Sequence, residues 1–297
     1  MTAPRQMLPG TTYLVTRRCA QRQFLLKPSP ATNAIFLYVL AVASLKFGVR
    51  VHAFVVLSNH FHAIVSDPDA RLPAFEQYLD SLVARAVNAS LGQREAFWAP
   101  SSYSAVRLLE PGDVIDKTAY VLANPVAAGL VRTGREWPGL WSAPEQIGGD
   151  RILVRRPRFF FREKGPMPEI VELELSVPPG FDSSAEFRDR VAEALTIRER
   201  DAVRAADSEG RRFLGVRRVL AQRPAGQPAM EESRRGLSPR IAGRDKWKRI
   251  EALARLVDFL RAYRAAWHQM RLGVRDVVFP HGTYWLRVAH GVACAPS

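Results

Sequence analysis

The segment covering residues 51–65, VHAFVVLSNHFHAIV, constrains the fold more than any other stretch of this chain. Its β-branched and aromatic residues predict two strands, and the central Ser-Asn pair predicts a tight turn between them. Because alternate side chains of a strand point to the same face, His60 and His62 share one face and Phe61 points to the other. Two neutral imidazoles on one face can hold a divalent metal ion.

A second polar pair lies downstream, in the stretch TAYVLANPV. Tyr120 and Asn124 are four residues apart, so in a helix their side chains share one face. A lone tyrosine is more often a core aromatic with a satisfied hydroxyl, and an asparagine before a proline commonly ends a helix. Together with His60 and His62, the pair predicts a site with Tyr120 as nucleophile and with Asn124 as either a third metal ligand or a helix end.

The order of predicted elements defines the fold class of the first half. Hydrophobic periodicity and turn residues predict strands over 12–19, 49–57, 60–66 and 103–109 and helices over 31–47 and 73–91, with a further helix capped by Asp113 or Asp116 and ended by Pro125. The order β-α-β-β-α-β is the split βαβ arrangement. We therefore expect an α+β, ferredoxin-like catalytic domain over residues 1–145.

The second half has a different character. Proline and glycine punctuate residues 146–185, which predicts a linker-like segment. Residues 186–297 predict a basic, mainly helical domain, with helices over 187–206, 211–222 and 247–272 and a closing hairpin over 277–292.

The net charge points to a polyanionic partner. The formal charge is +14, and residues 151–297 carry +11 of it. Arginine dominates the excess, and its planar guanidinium matches phosphate groups. We expect nucleic acid as the partner ahead of an acidic membrane surface.

Several arginines are candidate DNA contacts. Those in RRPRFFFR could combine charge with aromatic stacking, although the aromatics could instead dock in the core. A charge run is also often a solvated face, and a strand end is often solvated. The predicted DNA-binding residues are Arg17, Arg18, Arg155, Arg156, Arg158, Arg162, Arg211, Arg212, Arg217 and Arg218.

Cysteine spacing, the absence of targeting signals and the absence of a nucleotide-binding motif limit the cellular compartment and the cofactors that we expect. Cys19 and Cys294 are far apart without metal-ligand spacing, so neither a disulfide framework nor a structural zinc site is indicated. The N-terminus lacks the apolar core of a secretory signal, and the apolar run over 34–45 is too short to span a bilayer. We expect a cytoplasmic, nucleoid-associated protein with no membrane partner. No Walker-type glycine loop occurs, so no nucleotide cofactor is expected.

The motifs NHFHAIV, Phe97 with Trp98, and YVLANPVAAGLV follow one another in the order and spacing of a known family. Over residues 10–145 the chain resembles the REP-associated tyrosine transposases, the single-tyrosine branch of the nucleases with a His-hydrophobic-His motif. The resemblance implies His60 and His62 as metal ligands, Asn124 as third ligand and Tyr120 as nucleophile. It also implies Mg²⁺ or Mn²⁺ as cofactor, single-stranded DNA hairpins of palindromic repeats as substrate, and a monomer or homodimer.

The implied chemistry is transesterification. A divalent ion polarises the scissile phosphate, and a phenol, with a reference pKa of about 10, must lose its proton near attack. The product is a 5′-phosphotyrosine with a free 3′-OH, which preserves the bond energy for rejoining.

Two alternatives stay open at this stage. A non-catalytic single-stranded nucleic-acid binder would share the element order with RNA-recognition domains, and would expose Phe54 and Phe61 on the central strands. Alternatively, the chain could be a domesticated relative of this family that binds hairpins but no longer cuts them.

Overall fold

The computed structural model describes residues 4–100, 103–229 and 239–296. The elements of the first half follow the predicted order closely. They are β1 (Thr11–Arg18), α1 (Pro30–Phe47), β2 (Arg50–Leu57), β3 (His60–Asp67), α2 (Leu72–Leu91), β4 (Ser104–Leu108), α3 (Pro111–Leu122) and α4 (Asn124–Ala127).

The first four strands form a sheet in the order β2-β3-β1-β4, in which every neighbouring pair is antiparallel. This arrangement confirms the predicted α+β class and the β-α-β-β-α-β order. In the pairing of β1 with β3, Thr16 lies opposite His62 and Arg18 lies opposite His60.

Helix α1 lies on one face of this sheet, where it packs against α2. Ser29 caps it by accepting the backbone N–H of Thr32, and Gly48 ends it in the left-handed region with φ 68°. The helix is longer than the apolar run suggested, and by length and composition it could cross a membrane. Its buried residues nevertheless belong to the main hydrophobic core, as in the core helix of a globular domain.

Phe54 and Phe61 are buried beneath α1 and α2, at 3% and 1% exposure. An RNA-recognition surface needs such aromatics on the open face of the sheet, so that they can stack on bases. The expectation that Phe54 and Phe61 are exposed is therefore wrong.

The opposite face of the sheet is covered by α3. The predicted cap is partly corrected: Glu110 is the N-cap, and Asp113 accepts its backbone N–H to complete a reciprocal capping arrangement. Helix α3 ends at Leu122, and Pro125 lies in the first turn of α4. A proline fits there because an N–H at this position has no intrahelical partner.

The second half contains more than helices. Its elements are β5 (Ile152–Arg155), β6 (Ile170–Leu173), α5 (Ser184–Ser208), α6 (Val216–Leu220), β7 (Ile241–Ala242), α7 (Lys246–Arg271) and α8 (Trp285–His290). The long helices confirm the predictions over 187–206 and 247–272. Strand β7 pairs in parallel with β4 and extends the sheet to five strands.

Two local predictions in this half are wrong. The helix predicted over 211–222 is confined to α6, because Gly215 at φ 82° breaks the helical conformation before it. The hairpin predicted over 277–292 contains α8 instead, and Gly291 ends that helix in the left-handed conformation. Short apolar runs do not separate strand from helix by periodicity alone.

The second half packs directly on the first. The hairpin of β5 and β6 lies against α1, and α5 lies against α3. Phe187 and Val191 of α5 share a hydrophobic cluster with Val114 and Leu122 of α3. The division into 1–145, 146–185 and 186–297 stays a prediction about folding units.

His52 is fully buried at a bulge in β2 and occupies a closed hydrogen-bond network, as expected of a structural histidine. Its Nδ1 is 2.7 Å from the carbonyl oxygen of Ser176, and its Nε2 is 2.7 Å from Oγ of Ser66. Ser66 Oγ is in turn 2.7 Å from the Thr12 hydroxyl. Burial, with a smaller contribution from Arg50, lowers the pKa of His52 to about 4.

We expect His52 to make the fold sensitive to acid. Because its folded-state pKa lies below its unfolded value, the stability it contributes is complete above about pH 6.5 and is lost as the pH falls to about 4. The contribution is at most about 3 kcal/mol. In denaturant unfolding across this range, His52→Gln should flatten the acid dependence, while His290→Gln, at an exposed position, should leave it unchanged. Parallel curves for wild type and His52→Gln would contradict this role.

Candidate functional site

The two histidines lie at the start of β3, directly after the tight turn that joins β2 to β3. Their side chains point to the face of the sheet that α3 covers. Their ring centroids are 4.9 Å apart, with the ring planes at 84°. His60 Nδ1 lies 2.7 Å from Asn59 Oδ1, and His62 Nδ1 lies 2.6 Å from Thr16 Oγ1. When both Nδ1 atoms donate these bonds, each ring presents its lone pair on Nε2.

The environment keeps His62 neutral. Burial is the main cause that lowers its pKa well below the ordinary value, and the neighbouring His60 and Arg18 lower it further. A neutral imidazole is the form that binds a metal ion.

Tyr120 lies in the last turn of α3 and faces the histidines. Its ring centroid is 5.7 Å from that of His62, and the residue is 38% exposed. Asn124 lies four residues later in the first turn of α4 and is 9% exposed. The structure thus brings His60, His62 and Tyr120 together and places Asn124 on the next helical turn, while their roles stay predictions.

The two imidazoles alone do not complete the coordination of a divalent ion. No group of three His, Cys, Asp or Glu side chains able to hold a metal occurs among the described residues. The 4.9 Å ring separation suits two imidazoles on one ion, since each bound nitrogen lies roughly 2.1 Å from such a metal. His60 and His62 therefore fit a metal only with a further oxygen ligand such as the Asn124 amide or bound DNA.

Sequence reasoning missed a charged cluster beside Tyr120. Asp116 Oδ1 accepts hydrogen bonds from Arg198 of α5 at 2.5 Å and from Arg244 at 2.7 Å, and Oδ2 accepts one from Lys117 at 3.0 Å. The Lys117 ammonium is 5.8 Å from the centroid of the Tyr120 ring. Lys117 could have been found from its position one helical turn before Tyr120, whereas Arg198 and Arg244 arrive only through tertiary packing.

The cluster is dominated by positive charge. Burial alone would raise the pKa of Asp116, but hydrogen bonds from Arg244, Lys117 and Arg198 hold it below its ordinary range. One carboxylate thus gathers three cations beside the candidate nucleophile. Such a surface attracts a phosphate backbone.

The two arginines at the end of β1 separate to opposite faces. Arg18 pairs in register with His60 and acts electrostatically on His62. The Arg17 Nε is 3.2 Å from Asp80 of α2, and its guanidinium lies over the Trp98 ring. The structure therefore does not bring Arg17 to the histidine face, because strand alternation directs it toward α2.

The arginine-aromatic run lies at the β5–β6 connection, over α1 and away from the histidines. Phe161 is buried against Tyr38, with ring centroids 5.1 Å apart. Arg156 donates hydrogen bonds to the backbone carbonyls of Met167 and Glu163. Exposed residues of the run, distant from the candidate nucleophile, are Arg155, Arg158, Phe159, Phe160 and Arg162.

The basic segment around α6 lies near the histidines. Leu214 and Gly215 donate backbone hydrogen bonds to Gly129 and Leu130, just after α4. Beyond α6, the Gln222 amide oxygen accepts a hydrogen bond from Ser58 in the turn before His60. Since both ends of this segment are held at the site, it places four exposed arginines near its rim: Arg211, Arg212, Arg217 and Arg218.

Comparisons with solved structures give similarities that include two transposases. A REP-associated tyrosine transposase bound to a REP hairpin is 20% identical, with 47% of this chain and 81% of that chain covered and a TM-score of 0.40. A candidate transposase from Deinococcus radiodurans is 16% identical, with 41% and 95% covered and a TM-score of 0.30. No family model and no curated protein matches the chain.

We expect Asp116 to stabilise the fold by holding α5 and the segment before α7 against α3. Asp116→Asn removes the charge that three cations share, so the free energy of unfolding should fall by about 1–3 kcal/mol. Denaturant unfolding at neutral pH measures this loss. Glu186→Gln is the matched control, because Glu186 forms an exposed pair with Arg190 and its loss should have no measurable effect. An equal loss of unfolding free energy in the two variants would show that the Asp116 cluster does not stabilise the packing of α5 and the segment before α7 against α3.

Proposed function

We propose that the chain is a transposase-like enzyme that cleaves and rejoins single-stranded DNA at hairpin or palindromic repeats by metal-dependent tyrosine transesterification. The observation that carries this proposal is the convergence of Tyr120, His62 and His60 on one face of the sheet, with neighbouring ring centroids 5.7 Å and 4.9 Å apart. The resemblance in sequence motifs supports the same assignment.

Tyr120 is the proposed nucleophile. Its phenolic oxygen forms a bond to the phosphorus of the scissile phosphate, and the bond from phosphorus to the 3′-oxygen breaks. The phenol gives up its proton as it attacks and the departing 3′-oxygen takes one up, so the step consumes no net proton. The phosphate stays joined to the 5′ carbon of the cleaved strand. One ester bond replaces another, so the reverse reaction can rejoin the strand.

His60, His62 and Asn124 would hold the Mg²⁺ or Mn²⁺ ion. When bound, the ion would polarise the scissile phosphate and stabilise its developing charge. The hydrogen bonds that the two Nδ1 atoms donate to Thr16 Oγ1 and Asn59 Oδ1 would orient the rings, as outer partners of ligating histidines do.

The surrounding cations support DNA as the substrate. Lys117 lies 5.8 Å from the Tyr120 ring, two arginines pair with Asp116 one helical turn earlier, and Arg18 lies opposite His60. The α6 segment adds further positive charge at the rim. A scissile phosphate entering this face would therefore meet positive charge from several sides.

We expect a covalent protein–DNA adduct that depends on the metal and on Tyr120. Wild-type protein mixed with labelled single-stranded palindromic DNA and Mn²⁺ should give an adduct on a denaturing gel, and EDTA should abolish it. His60→Ala and Tyr120→Phe should each abolish it, while Tyr78→Phe, a tyrosine on α2, should retain it. Tight hairpin binding without any adduct would instead place the chain among non-catalytic hairpin-binding proteins.

We expect the α6 arginines to contribute to DNA affinity through charge alone. Truncation after residue 150 is unsuitable for testing this, because it would remove α5 from the core beneath α3. The double change Arg217→Gln with Arg218→Gln keeps that core intact. Titrations of hairpin binding at several salt concentrations should show a salt slope smaller by about two units, one for each lost phosphate contact. Replacement of two exposed arginines on α7, Arg255 and Arg261, is the control, and an equal change there would assign the effect to net charge.

A further inference from the structure

A large cleft lies on the face of the sheet opposite the histidines. Its volume is about 1220 Å³. The walls come from the segment before β1, from β1, β4 and β7, and from α2, α7 and α8. None of the residues assigned to the transesterase site lines it except Arg17, which is held by Asp80.

The cleft is positively charged. It is lined by Arg5, Arg17, Arg107 and Arg240 and by one carboxylate, Asp80. A second carboxyl, Glu76, is buried behind the wall and interacts electrostatically with Arg5, Arg17 and Asp80. Arg17 and Asp80 pair with each other. Arg107 makes no ion pair within the part of the chain that the structure describes, so its guanidinium is available to a ligand.

Arg5 and Arg240 are held close together at one end of the cleft. Arg240 donates a hydrogen bond to the Pro4 carbonyl at 2.9 Å, and Arg5 donates one to the Tyr103 carbonyl. Burial, together with the charge of Arg5, lowers the pKa of Arg240. Both guanidinium groups line the cleft, where a phosphate group could contact them.

Aromatic side chains of the C-terminal helices form the outer wall. Tyr263 and Trp267 come from α7, and Tyr284 and Trp285 lie at the start of α8. Trp285 is 62% exposed, so its ring is accessible to a ligand. Aromatic rings interleaved with arginines form the platform that single-stranded nucleic acid uses for stacking.

The floor of the cleft is polar but closed. Tyr103 is 8% exposed, and both its hydroxyl and Oδ1 of Asp80 are buried. The Arg5 guanidinium lies 3.9 Å from the centroid of the Tyr103 ring. A ligand in the cleft therefore meets the arginines and the aromatic wall rather than these two oxygens.

We propose that this cleft binds a segment of single-stranded DNA, with phosphates on Arg107 and on the Arg5–Arg240 pair, and with a base stacked on Trp285. The proposal goes beyond the transesterase function, because the cleft lies on the other face of the sheet and needs no chemistry at Tyr120. It gives the C-terminal region a direct role as a second single-strand site.

The test is fluorescence anisotropy of the full-length chain with a labelled oligothymidine of twelve nucleotides, which forms no hairpin. Arg107→Gln should weaken binding and reduce its salt slope by about one unit. Trp285→Ala should weaken binding by about tenfold, and Trp285→Phe should restore most of it because phenylalanine still stacks. Arg261→Gln, which removes an exposed charge of α7 outside the cleft, should change neither affinity nor slope beyond a small general effect.

Photocrosslinking locates the strand independently. Oligothymidine carrying 5-iododeoxyuridine should crosslink to the peptide that contains Tyr284 and Trp285. Unchanged affinity in Arg107→Gln and Trp285→Ala, with crosslinks elsewhere, would overturn the proposal. Tyr120→Phe should leave oligothymidine binding intact, so loss of the covalent adduct and loss of cleft binding are separate outcomes.

Discussion

The antiparallel pairing of β1 with β3 is the constraint on which the candidate site depends. Its register sets Thr16 opposite His62, and this allows the threonine hydroxyl to meet the imidazole. A slip of one residue would turn both imidazoles into the core beneath α1 and α2. Phe61 opposes such a slip, since it is 1% exposed and packs edge-on against Phe36 with ring centroids 5.1 Å apart. Burial of one phenylalanine, worth about 2–3 kcal/mol, therefore helps to fix which face carries the histidines.

The two faces of the same sheet carry different sites: the candidate catalytic residues lie on one face and the basic cleft lies on the other. On the α3 face, Asp116 collects cations from α3, α5 and the segment before α7, so distant parts of the chain meet beside Tyr120. On the α2 face, the C-terminal helices enclose a basic and aromatic cleft. The positive charge of the second half is thus distributed over both faces rather than held in one separate surface.

The elements that the sequence predicts well are those with local signals. The helix predicted over 31–47 agrees with α1 to within one residue, and the shared face of His60 and His62 follows from strand alternation. The α6 boundary and α8 were missed, because a left-handed glycine and a short apolar run carry weak periodic signals. Tertiary information was also absent from the sequence pattern. Spacing alone did not show that Arg17 pairs with Asp80 or that Arg198 and Arg244 reach Asp116.

The assignment of Tyr120 as nucleophile is decided by the residue that becomes linked to DNA. Wild-type protein would be incubated with single-stranded palindromic DNA and Mn²⁺, digested with protease and nuclease, and analysed by tandem mass spectrometry. We expect one modified peptide, with a 5′-phosphorylated nucleotide joined to the Tyr120 oxygen. Linkage to another residue, or cleavage that leaves no linked peptide, would rule out Tyr120 as the nucleophile.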